Sequence, residues 1–366
     1  MDRIVSNTLS NLRFPLAVMV VYIHYFGSSV CDLSDVSFSC FSENDIFNIV
    51  RVGFSKNVCQ IAVPTFFLIS GYLFFQKLDE WNWIVWKEKL RRRVNTLIIP
   101  YLAWNLIRYF FNAITTGYHV YRSKGAYTGW QWLSDHTTLL IFWATPNSSM
   151  PLHVPFWFIR DLIVMIFLSP IFYIILRKRI LGLIILIILV YYYVLCLWPS
   201  IPGLSIEALL FFASGGFLAL HAETIAPPIT KFILINRWLP YIAFSIFVVL
   251  GVVAYPNALL YTRILHIEIM FGCMSVLLLF YVISKRIVIK SEKLSESSFF
   301  VYAFHMFLLI ALSLFEEKLS IHVENYPWIR IAAYLFVPIL IALLCVAIFA
   351  GLKRYTPSFC KILTGK

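Results

Sequence analysis

Charge is what this chain lacks: 13% of its 366 residues are charged against 61% hydrophobic, and acidic residues number 18 against 30 Lys and Arg. With a mean hydropathy of +0.82, this excludes a soluble globular enzyme and marks a polytopic membrane protein. The seven cysteines have no CxxC or Cys/His metal spacing, so no zinc or iron–sulfur site is expected. No repeat of 20–50 residues and no inverted symmetry between halves is visible. The first apolar run has no small-residue cleavage site after it and is expected to stay as a helix, not to leave as a signal. No appended soluble domain is expected, because the chain ends about 14 residues after its last apolar run.

What is present is ten apolar runs of about 20 residues, the length that crosses a hydrocarbon core of roughly 30 Å. They lie near 9–28, 58–76, 95–116, 155–176, 180–198, 204–221, 238–256, 260–284, 298–315 and 329–352. The expected fold is all-α, a single domain over 1–366 with about ten transmembrane helices. The net charge of +12 falls in short basic blocks between the runs, which read as topology signals and membrane-lipid contacts, with no nucleic acid expected. With the N-terminus in the cytoplasm, 21 of the 30 Lys and Arg fall in inner segments and 7 in outer ones, so both termini are expected inside. Two outer loops are long enough to act as lids. The second carries Tyr118, His119, Tyr121, Tyr127, Trp130, Trp132, His136, Trp143 and His153, either to stack on sugar rings and headgroups or as an interfacial aromatic belt. In the first, Cys31 and Cys40 are separated by eight residues, and they either pair or stay as free thiols.

Ionisable residues inside apolar runs are costly and default to functional sites. The first run holds two, Arg13 and His24, which eleven steps at roughly 100° put on one helix face, roughly 16 Å apart. The bland alternative is an arginine snorkelling to the interface and a histidine bonded to a neighbouring helix. Arg108, Arg160, Asp161, Glu207, His266 and Glu268 join His24 in the outer halves of their runs, which points to one polar cavity opening outward or to ion pairs that lock the bundle. Arg160 and Asp161 are adjacent and point differently on a helix, so each is expected to pair with another helix, Glu207 and Glu268 being available. At the inner face, Arg91, Arg92 and Arg93 follow Lys87 and Lys89; such a cluster either binds phosphates or anchors topology. His305, alone near mid-membrane, reads first as a packing residue.

Taken together, these residues resemble the membrane-bound acyltransferase-3 family. Arg13 and His24 match its Arg-x10-His signature. Pro64 to Tyr72, reading PTFFLISGY, is similar to its Pro-x-Phe-Phe-x-x-Ser-Gly motif, and Arg91 to Tyr101, reading RRRVNTLIIPY, to its basic loop running into Pro-Tyr. Pro155 to Phe158 is similar to the aromatic element opening the fourth span, and Phe300 to His305 to a Tyr-x-x-His element in the ninth.

The resemblance implies transfer of an acyl group, usually acetyl, from cytoplasmic acyl-CoA to a hydroxyl of an extracytoplasmic glycan or lipid-linked sugar. Acetyl-CoA would be the donor, with no metal. The expected location is the cell membrane, in a bacterium the inner one, as a monomer or homo-oligomer. It also implies His24 as the catalytic histidine, Arg13 with Arg91 to Arg93 on the CoA end, and Ser70 with Gly71 lining the core pocket. Trp157, Arg160, Asp161, Glu268 and His305 complete the expected substrate-binding set. Three arginines in a row depart from the family's Arg-x-x-Arg spacing, so which one meets a phosphate stays open. As a general base, His24 would contribute about 10²–10⁴-fold, with Glu268 or Asp161 as an orienting carboxylate. A secondary transporter or flippase-like carrier of an anionic glycan or lipid is the alternative, but it should show the missing internal repeat.

Overall fold

The computed structural model describes residues 3–25, 43–76, 82–122, 131–133, 139–145, 148–222, 236–286, 292–319 and 327–365. Cys31, Cys40, Tyr127, Trp130 and His136 lie outside them, and so does the proposed disulfide. The described residues form helices and no strands: α1 Arg3–His24, α2 Glu43–Arg51, α3 Ala62–Phe75, α4 Trp83–Arg93, α5 Ile99–Arg122, α6 Trp157–Phe167, α7 Ser169–Leu176, α8 Arg179–Val194, α9 Ile206–Leu220, α10 Leu239–Ala254, α11 Ala258–Arg286, α12 Glu292–Leu319, α13 Pro327–Tyr355 and α14 Pro357–Thr364. Among the described residues six stretches are long and apolar enough to cross a membrane, and the α6–α7 pair, bent by 61° between Phe167 and Ser169, passes the same test as a broken span or a re-entrant loop. α8, α9 and α10 are shorter apolar helices. This is a multi-pass, all-α membrane protein.

α1 is the hub. Leu12, Leu16, Ala17 and Val21 are fully buried along it, and it packs against α3, α11, α12 and α13. α3 and α9 form the tightest pair, and two glycines permit it: a methyl on Gly71 would strike the Phe212 carbonyl, and one on Gly215 the Leu68 carbonyl. Backbones this close give van der Waals contact where lipid removes any hydrophobic drive between helices.

Two stretches are more helical than the sequence suggests. The second span begins at Ile46, not near residue 58, and passes through a π-turn at Val52–Asn57 and a 3-10 turn at Val58–Ile61 before α3. Arg51, which precedes the expected second run, lies on this extension and is buried. The basic loop is helix α4, capped by Asn82 whose side chain accepts from the Ile84 amide at 2.8 Å, and it runs through a π-turn at Val94–Ile98 into α5. Such breaks inside spans occur where freed backbone groups find partners, and they often mark functional sites.

Candidate active site

A cavity of about 130 Å³ opens beside the C-terminal end of α1, lined by Val20, Ile23, His24, Gln60, Val63, Pro64, Pro155, Trp157, Glu207 and Tyr302. Its walls come from distant parts of the chain, and local chemistry explains how each is held. Ser55, in the π-turn, donates to the Tyr22 carbonyl at 2.7 Å and therefore receives its bond from the Tyr334 hydroxyl at 2.5 Å. This ties the turn to the end of α1, two residues before His24. The Gln60 side chain reaches back to the Ser55 carbonyl at 2.9 Å. On the opposite wall, Tyr302 donates to the Pro155 carbonyl and stacks on Phe156 at 5.8 Å, joining α12 to the opening of α6. Phe67 packs edge-on against Phe158 at 4.6 Å and against Trp157 at 6.1 Å.

The His24 ring lies 5.4 Å from the ring of His305, so the histidine that looked solitary has a neighbour. His305 is fully buried, with Nδ1 directed to the Val301 carbonyl at 3.2 Å and Nε2 without a hydrogen-bond partner among the described residues. His153, just before α6, directs Nε2 to the Ala303 carbonyl at 2.9 Å and stacks on Phe307. Burial, followed by the nearby Arg108 charge, pushes its imidazole down to about 3, so it stays neutral at ordinary pH. Glu207 stands on the cavity wall in the first turn of α9, and it is half-buried. Neither it, Gln60 nor Tyr302 was in the expected substrate set. For Glu207 the signal was available, a carboxyl inside an apolar run.

The polar residues expected at the depth of His24 do not share one cavity. Arg160 and Asp161 pair with each other: Arg160 Nε and Nη2 each reach Asp161 Oδ1 at 2.9 Å. A long guanidinium stem covers the 100° between adjacent positions, which overturns the expectation of separate partner helices. Arg160 Nη1 also donates to the Trp143 and Ser149 carbonyls at 2.8 and 2.6 Å, while Asp161 Oδ2 accepts from the Ser205 amide at 3.1 Å. Ser205 caps α9, its side chain accepting from Ala208 at 3.2 Å, two residues before Glu207. Trp143 in the second long loop thus holds Arg160 through its backbone. Glu268 does not approach that pair. It is fully buried with both oxygens unpartnered among the described residues, facing Asn57 across the space left by Gly251. His266 stacks on Tyr193 at 3.9 Å and donates from Nδ1 to the Tyr193 carbonyl at 2.6 Å.

At the other end of α1, Arg13 is half-buried and close enough to Arg93 for their charges to repel. Lys89 stands in the same relation to Arg93. It donates to the Phe74 carbonyl at 2.5 Å and lies over the Phe74 ring. No carboxylate pairs with Arg13, Arg93 or Lys89 among the described residues. Arg91 and Arg92 are exposed, Arg92 lying 4.0 Å from Glu88. Ser70 and Gly71 are not on the cavity wall; Gly71 serves the α3–α9 contact.

Comparison with known protein families matches residues 7–350 to the acyltransferase domain of the acyltransferase-3 family. The chain is also similar to the succinoglycan biosynthesis protein ExoH of Rhizobium meliloti (strain 1021), 26% identical over 231 residues. That match spans 62% of this chain and 57% of the relative's length. No solved structure matches. A family match over nearly the whole length, on a helical membrane fold in which four of the five sequence motifs contribute cavity walls, means that the chain belongs to the acyltransferase-3 family.

Proposed function

We propose that this protein transfers an acyl group, acetyl in the simplest case, from cytoplasmic acyl-CoA to a hydroxyl of an extracytoplasmic glycan or lipid-linked sugar. The observation that carries the reading is a single helix with two chemistries. α1 bears His24 on the cavity wall, and about three turns earlier Arg13 lies near Arg93, which in turn lies near Lys89. Three cations without a paired carboxylate among the described residues suit the phosphates of a CoA donor, which would approach from that end. The similarity to a succinoglycan biosynthesis protein supports a polysaccharide acceptor.

The donor supplies an activated thioester carbon; the remaining steps belong to the chain. Arg13, Arg93 and Lys89 hold the phosphate end. Trp157 and Tyr302 offer aromatic surface to the acceptor. His24 takes the proton from the acceptor hydroxyl as the new C–O bond forms, then gives it to the sulfur as the C–S bond breaks, so no net proton is consumed. His305, packed against the His24 ring, limits its orientation. Glu207, across the cavity, is the carboxyl available to polarise the imidazole or the hydroxyl.

Labelled acetyl-CoA incubated with membranes and a glycan extract tests this. Label should pass to glycan, and His24→Ala should reduce the rate at least about 10²-fold at matched membrane levels. Arg91, Arg92 and Arg93 replaced together by Gln should raise KM for the donor with little change in kcat, because phosphate contacts hold the donor equally in ground and transition states. A His24→Ala protein retaining more than about a tenth of the rate would refute His24 as the base.

A further inference from the structure

Arg108 is a cation with no assigned work. It lies on α5, one turn beyond Trp104 and on the same inward face, at membrane depth. Its Nε and Nη1 are buried and have no hydrogen-bond partner among the described residues, and no carboxylate pairs with it there. Its guanidinium carbon lies 5.7 Å from the Phe111 ring and 5.9 Å from the Phe307 ring. Those contacts use the π-faces of the rings and leave Nε and Nη1 without an acceptor among the described residues. A buried guanidinium with unpartnered N–H groups is best complemented by an oxyanion, planar or tetrahedral. The neighbours do not supply one. His153, stacked on the same Phe307 ring, is neutral and has its Nε2 on the Ala303 carbonyl, and Asn105 Oδ1 accepts from the His153 amide at 3.1 Å. Packing links Arg108 to the reaction site: Phe307, the ring beneath it, lies on α12 two residues after His305, whose ring is 5.4 Å from that of His24.

We infer that Arg108 is a receptor for a carboxylate or phosphate carried by one of the substrates, set back from the hydroxyl or acyl carbon that meets His24. The inference rests on the acyltransferase reading and narrows it: one substrate is acidic. The oxyanion has two sources, an acidic sugar or phosphate on the acceptor, or the far end of a dicarboxylic acyl chain. An acceptor held this way would be positioned by its charge and not by its hydroxyl pattern, and a donor held this way would be selected for its second acid.

The test uses the full-length protein in nanodiscs. Thermal unfolding is measured with sodium glucuronate, succinate, phosphate or neutral glucose added, for the wild type and Arg108→Gln. Transfer is measured with butyryl-CoA against succinyl-CoA, and with neutral against uronate-containing oligosaccharides of equal length. At least one anion should raise the wild-type melting temperature and leave Arg108→Gln unmoved, and the wild type should prefer one acidic substrate by about tenfold in kcat/KM, a preference the variant loses. Preference among donors assigns the anion to the acyl chain, and preference among acceptors assigns it to the glycan. Arg108→Lys, which keeps the charge without the fork, should retain part of the preference, and it carries the test if Arg108→Gln does not accumulate. A wild type that transfers acyl groups without discriminating acidic from neutral substrates overturns the inference and leaves the acyltransferase reading standing. Arg108-dependent stabilisation by an anion in a protein that transfers nothing keeps the anion site and refutes that reading.

Discussion

The Arg160–Asp161 pair allows the energetics of this site to be tested without an assay for turnover. Asp161→Ala removes both acceptors of a fully buried carboxylate and strands a guanidinium that is 3% exposed. Breaking a buried pair on one side costs about 3–5 kcal/mol, because the remaining charge keeps its desolvation penalty. Asp161→Asn is milder. It keeps one oxygen, and whichever way the amide turns, either Arg160 or the Ser205 amide loses its acceptor, for a cost of about 1–3 kcal/mol. Arg160→Met with Asp161→Leu removes both charges and leaves unpaired the Trp143 and Ser149 carbonyls and the Ser205 amide. It should destabilise less than Arg160→Met alone and Asp161→Leu alone added together, with a coupling of about 0.5–3 kcal/mol. Equilibrium unfolding in mixed micelles, followed by tryptophan fluorescence, gives all four points of the cycle. A loss below about 1 kcal/mol for Asp161→Ala would mean that the pair is hydrated and not part of the core, and the argument would fail. Asp161→Asn also tests function, because Ser205 starts the helix that carries Glu207; a lowered transfer rate is expected even where the fold survives.

Gly71→Ala and Gly215→Ala should each prevent accumulation of folded protein in the membrane, since each methyl meets a backbone carbonyl that cannot give way; Gly351→Ala, with nothing within 4 Å of its methyl, should express normally. Glu268→Gln should raise stability by about 1 kcal/mol in the same unfolding assay, because the new amide can donate to the unpartnered Asn57 Oδ1; a loss of stability would show that the carboxyl has a partner there. Alkaline phosphatase fused within residues 117–153 should be active and fused after Arg179 inactive, if both termini are cytoplasmic; the reverse pattern would invert the donor and acceptor sides.

Hydropathy alone was enough to establish the membrane and the helical class, because lipid forces every backbone group in a span to be satisfied within the helix. The register of α1 followed from the same source: Arg13 and His24 share a face through helical pitch, whatever packs around them. Position along each apolar run was legible too, and it gave Arg108, Arg160, Asp161, Glu207, His266 and Glu268 the same expected depth as His24. Azimuth was not. Which of those groups meets which depends on how helices far apart in sequence rotate against one another, and only packing settles that. Tertiary structure therefore turned one expected cluster into separate sites: His24 with Glu207 and His305, Arg160 with Asp161, Glu268 with Asn57, His266 with Tyr193, and Arg108 on its two phenylalanines. It also moved Gly71 from a pocket wall to a helix contact, because a missing side chain is read equally well as room for a ligand or as room for another backbone.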